Sequence, residues 1–194
     1  MTLTTPRKRL APEPLTKDTF VLRTLLGAPV AADPDRVVTS VAWGDGMLTI
    51  AAQPDVPRNL TVNLADANDS ITGGWLTITG LTPQGLLVTE ACTVAQAKAG
   101  FVGAVIFAHI TSILISETAG TVDNLNDLVT VGVGNVVGLP SPIDAKVAVK
   151  HVYLGGVRIS SPVVTHGAHS SGVDASGGAY NGTKELAVFY APGF

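Results

Sequence analysis

The sequence predicts an all-β protein: an antiparallel β-sandwich or barrel carrying an extended N-terminal arm. Three observations lead there. From about residue 36 onward, about ten short segments alternate apolar with Thr, Ser or Asn positions, or are rich in Val and Ile. Gly, Asn, Asp and Pro clusters punctuate them at short intervals. Almost no stretch carries a helical period.

The division falls near residue 35. Residues 1 to 35 contain Pro6, Pro12, Pro14, Pro29 and Pro34, which interrupt regular elements, so this part is predicted as an extended proline-rich arm. Within it Thr19-Phe-Val-Leu-Arg-Thr-Leu-Leu26 is a short apolar run that cannot fold alone. It must dock, on its own domain or on a neighbouring subunit. Residues 36 to 194 form the predicted β body.

Each body element has its own signal. Arg36 to Ala42 and Met47 to Ala52 flank Trp43-Gly-Asp-Gly, which predicts a hairpin with Trp43 beside the turn and partly exposed. Asn59 to Ala65 sets Leu60, Val62 and Leu64 against Asn59, Thr61 and Asn63, a strand with one buried face. Asp66-Ala-Asn-Asp is turn chemistry, because these side chains bond nearby amides. Trp75 to Gly80 puts Trp75, Thr77 and Thr79 opposite Leu76 and Ile78. That side is the less apolar one, unless both faces are covered. Pro83-Gln-Gly85 turns the chain into a strand over Leu86 to Thr93. Val94 to Ala99 is a loop or one helical turn. Ala104 to Ser116 is one long strand or two joined by a bend, and Leu128 to Gly134 is another strand. Gly138-Leu-Pro-Ser-Pro142 breaks the chain. Val147 to Leu154 and Val157 to Val164 flank the two-residue turn Gly155-Gly156. Ser160 to Gly178 reads as a loop, and Leu186, Val188 and Tyr190 mark a last strand.

Composition narrows the function classes. Of 194 residues, 46% are apolar and only 14% charged, against about 25% charged in typical soluble domains. A surface this poor in charge fits either a covered surface or a Thr/Ser-rich one. The formal net charge of −3 argues against specific nucleic-acid binding. Arg7-Lys8-Arg9 is the single basic cluster, suited to a weak contact with phosphate or an acidic protein surface. The lone Cys92 excludes an internal disulfide and reads as a buried small hydrophobe. No signal peptide is expected, since the first residues lead into charge. The stretch Phe101 to Ile115 is broken by Gly103, His109, Thr111 and Ser112, so no membrane span is expected.

Signals for chemistry are weak. His166 and His169 with Asp174 would supply three zinc-type ligands, but in a Gly/Ser-rich loop with no further support. Asp66 to Ser70 imitates the start of an EF-hand loop and then fails at Ile71 and Thr77. No phosphate-binding loop, dinucleotide fingerprint or nucleophile elbow is present, so no cofactor and no catalytic residue are expected. Asn59-Leu-Thr61 and Asn181-Gly-Thr183 match glycosylation sequons.

Several motifs resemble a β-rich structural protein common in tailed phages. They are Pro54-Asp-Val-Pro-Arg-Asn-Leu-Thr-Val, Asp66-Ala-Asn-Asp-Ser-Ile-Thr-Gly-Gly and Thr77-Ile-Thr-Gly-Leu, with Val131-Gly-Val-Gly-Asn-Val-Val-Gly-Leu-Pro140, Tyr153-Leu-Gly-Gly-Val157 and Asn181-Gly-Thr-Lys-Glu-Leu-Ala-Val-Phe-Tyr190 downstream. The resemblance spans residues 54 to 190 and leaves out the arm. It implies a non-enzymatic virion component on the capsid surface, most plausibly a capsid decoration (cement) protein, as a homotrimer or other homo-oligomer bound to the major capsid protein. Another virion position, at the head–tail junction, tail or fibre, is the alternative. A carbohydrate-binding β module using Trp43 or Trp75 is a third reading. The residues expected at the interface are Arg7, Lys8, Arg9, Phe20, Leu22, Leu25, Leu26 and Trp43.

Overall fold

The alternation along residues 58–65 is what separates inside from outside. The computed structural model describes residues 21–193. In chain order its strands are β1 (Leu22–Leu25), β2 (Asp33–Ala42), β3 (Gly46–Met47), β4 (Arg58–Ala65), β5 (Ile71–Leu81) and β6 (Leu87–Thr93). A short helix, α1 (Val94–Lys98), leads to β7 (Phe101–Phe107), β8 (His109–Gly120) and β9 (Leu128–Gly138). The chain closes with β10 (Val149–Leu154), β11 (Val157–Arg158), β12 (Val163–Thr165), β13 (Gly172–Asp174) and β14 (Leu186–Tyr190).

All the pairings are antiparallel, as predicted, and they form three sheets. β4 lies between β7 and β9, and the other edge of β9 is shared by β2 and by β13 with β12. The second sheet runs β3-β8-β5-β6 and the third β1-β14-β10-β11. The first two sheets enclose one core. Leu60, Val62 and Leu64 of β4 join Leu76 and Ile78 of β5, Ile113 and Ile115 of β8, and Val129, Val131 and Val133 of β9. A second core collects Val137 and Leu139 with Val152, Leu154, Val173, Leu186, Val188 and Tyr190. β9 therefore serves both cores, one with each end.

Several expectations are met in detail. β5 and β6 form a continuous hairpin, with Leu76 and Ile78 buried and Trp75 on the outer side. Gly155 (φ 57°) and Gly156 (φ 79°) make the tight turn between β10 and β11, a geometry for which both positions need positive φ. Residues 94–98 take the helical option. The Thr93 Oγ1 accepts from the Gln96 N–H at 3.3 Å and the Gln96 Oε1 accepts from the Thr93 N–H at 2.9 Å, a capping box that starts the turn. Residues 101–120 are two strands joined at Ala108, and the two lie in different sheets.

Other expectations are corrected. Residues 43–46 are not a hairpin tip. They carry the chain from β2, paired with β9, across to β3, paired with β8 in the facing sheet. The expected loop at residues 160–178 contains β12 and β13. The described part of the arm is built into the body. Leu22–Leu25 pairs residue for residue with β14, and β2 already begins at Asp33.

Two adjacent residues of β4 hold the junction. At Asn59 both neighbouring strands bulge: Asn59 to Thr61 on β4 faces Ile106 to Val102 on β7, and Arg58 to Leu60 faces Val137 to Val133 on β9. Each neighbour carries two extra residues there. The buried Asn59 amide bridges both gaps, its Nδ2 donating to Gly103 O at 3.1 Å and its Oδ1 accepting from Val136 N at 2.9 Å. Any Cβ at Gly134 would overlap this amide, and one at Gly103 would overlap the Glu90 carboxylate. That carboxylate reaches across from β6 to accept from Ala104 N and Val105 N, and burial pushes its pKa up. Next in sequence, the fully buried Arg58 donates to Asp55 Oδ1 at 3.0 Å and to Val30 O at 2.9 Å, while Asp55 Oδ2 accepts from Val30 N at 2.8 Å. The guanidinium also lies 5.6 Å from the Tyr180 ring centroid.

Asn59→Ala should lower the stability measured by urea unfolding by about 2–4 kcal/mol, because two buried backbone groups lose their partners. Arg58→Ala should cost about 3–5 kcal/mol, the range for breaking a buried ion pair, and Arg58→Lys should recover little of it, since one ammonium cannot reproduce the fork.

Candidate interaction face

The outer face of the β1-β14-β10-β11 sheet concentrates the exposed groups able to recognise a partner. Alternation places them there. In β14 the even-numbered side faces the second core through Leu186, Val188 and Tyr190, which turns Phe189 outward. In β10, Val152 and Leu154 face in, so His151 and Tyr153 face out. Register then aligns Arg23, Phe189 and His151 in one row and Leu25, Ala187, Tyr153 and Arg158 in the next.

The three rings pack edge to face. Tyr153 and Phe189 centroids are 5.7 Å apart, and His151 lies 6.4 Å from each. Beside them runs a groove of about 520 Å³ lined by Arg23, Tyr153, Gly155, Thr183, Glu185 and Phe189. An apolar aromatic wall with a cation and a carboxylate at its rim suits a peptide or protein surface. β1 pairs only with β14 among the described residues, so its second edge adjoins this face.

The predicted interface residues separate into three groups. Arg7, Lys8, Arg9 and Phe20 lie outside the described residues. Leu25 is on the outer face and 45% exposed, whereas Leu22 is half-buried and Leu26 packs against the second core. Trp43 is corrected outright. It is wholly buried between the two sheets of the first core, its Nε1 donating to Thr118 Oγ1 at 3.1 Å and its backbone N–H to Asp127 O at 2.9 Å. The chain crosses between sheets at this point, which carries the indole inward, so Trp43 presents no surface to a partner. Trp75 is the exposed tryptophan, at 43%.

Sequence reasoning missed Arg23, His151, Tyr153 and Phe189. The alternation Leu186, Val188, Tyr190 already implied that Phe189 points the other way. What it lacked was the pairing of β14 with both β1 and β10, which assembles the face.

The other chemical candidates fall in ordinary structural settings. His166 and His169 are both exposed, and no group of three His, Cys, Asp or Glu among the described residues is placed to hold a metal. Burial, with Glu90 nearby, pushes the Cys92 thiol up to about 11, so almost no thiolate exists at neutral pH. Asn59 is buried and so closed to a glycan, whereas Asn181 is exposed and accepts from Thr183 N and Lys184 N within its own turn. No helix among the described residues is long and apolar enough to cross a membrane.

The Asp66 turn is a local anchor. Its carboxylate accepts from Ser70 N and Ile71 N, both at 3.0 Å, and lies 2.7 Å from Lys98 Nζ, which also reaches Asp69 and Ile71 O. Burial pushes the Asp66 carboxyl up, but the Lys98 ammonium and the two N–H groups outweigh it and hold the pKa at about 2. A depressed carboxylate stabilises the fold fully above its unfolded pKa, about 4, and loses that contribution as pH falls through its folded value. Asp66→Asn should therefore lower the thermal midpoint at pH 7 and flatten its decline between about pH 4 and pH 2. Parallel acid limbs for the two proteins would contradict this assignment.

Neither a family model, nor a curated protein, nor a solved structure matches this chain.

Proposed function

We propose that this chain is a non-enzymatic structural protein of a tailed-phage virion, a capsid decoration (cement) protein bound to the major capsid protein at the capsid surface. One observation carries the proposal furthest: the aromatic and apolar outer face of the β1-β14-β10-β11 sheet, continuous at Arg23 and Leu25 with the root of the N-terminal arm. The motif resemblance supports the same reading. A rigid β body presenting such a face adds buried area across the seams between shell subunits. At roughly 25 cal/mol per Å² of apolar surface, a few large side chains contribute several kcal/mol per contact, repeated over the whole shell. Homotrimers or other homo-oligomers would multiply each contact again.

Other virion positions remain the alternative within this class, and stoichiometry separates them. A copy number comparable with that of the capsid subunits favours decoration. A small fixed number per particle favours the head–tail junction, tail or fibre. The carbohydrate-binding reading passes from Trp43, which is buried, to Trp75, which is exposed.

The arm is tested by truncation. β1 belongs to the body, so the informative deletion is residues 1–20, which leaves every described strand intact. The truncated protein should keep its fold by circular dichroism yet bind capsids at least tenfold more weakly and fail to raise their melting temperature, a loss of about 1.4 kcal/mol or more. Full retention of capsid binding and heat protection would reject the arm's role.

A further inference from the structure

We propose that the outer face of the β3-β8-β5-β6 sheet is covered in solution by a second copy of this chain, the two packed face to face about a two-fold axis. The inference stands on a different surface from the one above and does not depend on the virion reading.

The face is uncharged from the Trp75 row to the Leu81 row; the exposed Glu117 of β8 lies just beyond it, at the bulge. Cross-strand register lines up Met47, Leu114 and Thr77 in one row, with Trp75 heading the next. From the Trp75 row to the row of Leu81 and Leu87, no outward position of these strands is Asp, Glu, Lys or Arg. The single acid of β6, Glu90, turns inward to Ala104 and Val105. His109 is the one ionisable group, at the far end. Large apolar side chains nevertheless stand out of this Thr/Ser field: Met47 is 62% exposed, Trp75 43%, Leu114 38% and Leu87 69%. A solvated sheet face usually carries charges among its polar positions, and an exposed apolar patch of this extent marks an interaction surface.

The choice of a second copy follows from symmetry. In a two-fold contact the same face meets itself, residue i touching j and j touching i, so a face with net charge of one sign meets that sign again. The outer face of β1-β14-β10-β11 carries the exposed Arg23 and Arg158 against the Glu185 carboxylate and so meets itself with an excess of positive charge. Between its Trp75 and Leu81 rows the β3-β8-β5-β6 face brings none. Size fits a weak dimer. Eleven residues along β5–β8, seven along β5–β6 and two along β3–β8, at about 3.4 Å per residue and about 4.8 Å per strand width, give a footprint of roughly 330 Å². Standing side chains make the accessible area larger than the footprint, which places the contact below the roughly 800 Å² per partner of a standard interface, among weak associations. The small Thr, Ser and Ala side chains allow close sheet-to-sheet approach, with Trp75, Leu114 and Met47 as knobs.

Sedimentation of the full chain over roughly 1–100 μM tests this, spanning free energies near −8 to −5 kcal/mol. The expected species has twice the 19.8 kDa chain mass. Thr77→Lys and Leu114→Lys, both on outward strand positions, should halve it without changing the far-UV spectrum, and Leu25→Lys on the other face should leave it doubled. Fluorescence gives a readout without substitution. Trp43 is buried in either state, so a red shift and greater acrylamide quenching on dilution report the uncovering of Trp75. A single-chain mass throughout the range overturns the proposal, and so does a doubled mass that survives Thr77→Lys. A protein that is monomeric until capsids or a glycan cover Trp75 also overturns it. Capsid binding by the 1–20 truncation is read separately, so either proposal can fail alone.

Discussion

The fold depends on a polar side chain buried where two strands fall out of step with a third. Asn59 is the second residue of β4, a strand paired on both edges, yet β7 and β9 each place two extra residues against it. A backbone ladder cannot bridge such a gap, and unpaired buried amides cost about 1–3 kcal/mol each. The Asn59 side chain supplies one donor and one acceptor in opposite directions, which is what the two gaps lack. Neither Asp nor Leu, of similar size, offers that pair. The bulge lets β9 bend, so its first half packs in one core and its last residues in the other. Arg58 then fixes the connection from β1 to β2 by holding Val30 through its carbonyl while Asp55 holds the same residue's N–H. Both cores and the position of β1 thus trace back to two consecutive residues.

That dependence marks the limit of sequence reading. The inward set Leu60, Val62 and Leu64 was legible, because period-two alternation reports which face of a strand is apolar. The same alternation makes Asn59 look like an outward polar residue. Its burial arises from the register of strands more than 40 positions away, which local pattern does not encode. Trp43 fails for a related reason. Gly-Asp-Gly signals a turn, but nothing local tells whether the chain returns along the same sheet or crosses to the facing one. The bend at Ala108 is the same ambiguity. By contrast Gly155-Gly156 was read correctly, since a two-residue turn specifies its own pairing. The candidate face lies between these extremes. Phe189 was visible as an outward residue, whereas the groove needed three strands brought together from both ends of the chain.

The outer faces of the two outlying sheets carry opposite chemistries, and composition explains how both arise in one chain. With 14% charged residues, charge has to be placed selectively. Much of it is spent on structure: Arg58 with Asp55, Lys98 with Asp66 and Asp69, Glu90 on a bulge. Cations at Arg23 and Arg158 flank the aromatic rings of the β1-β14-β10-β11 face, which gives it orientation and selectivity toward a partner of unlike surface. The β3-β8-β5-β6 face has no such direction and suits contact with a surface like itself.

The position of β1 links the arm to the first of these faces. β1 is short and at an edge, a place where unpaired backbone groups invite another strand. Arg23 and Leu25 project from it onto the aromatic face while Leu22 and Thr24 turn inward. A partner strand added at this edge would continue the same sheet and lay its outward side chains beside Phe189 and Tyr153. Backbone pairing would then supply affinity with little sequence preference, and the groove between Arg23 and Glu185 would supply the discrimination. The described chain begins at Val21, directly before this edge strand. On the proposed reading, loss of Phe189 or of the arm would weaken the same contact.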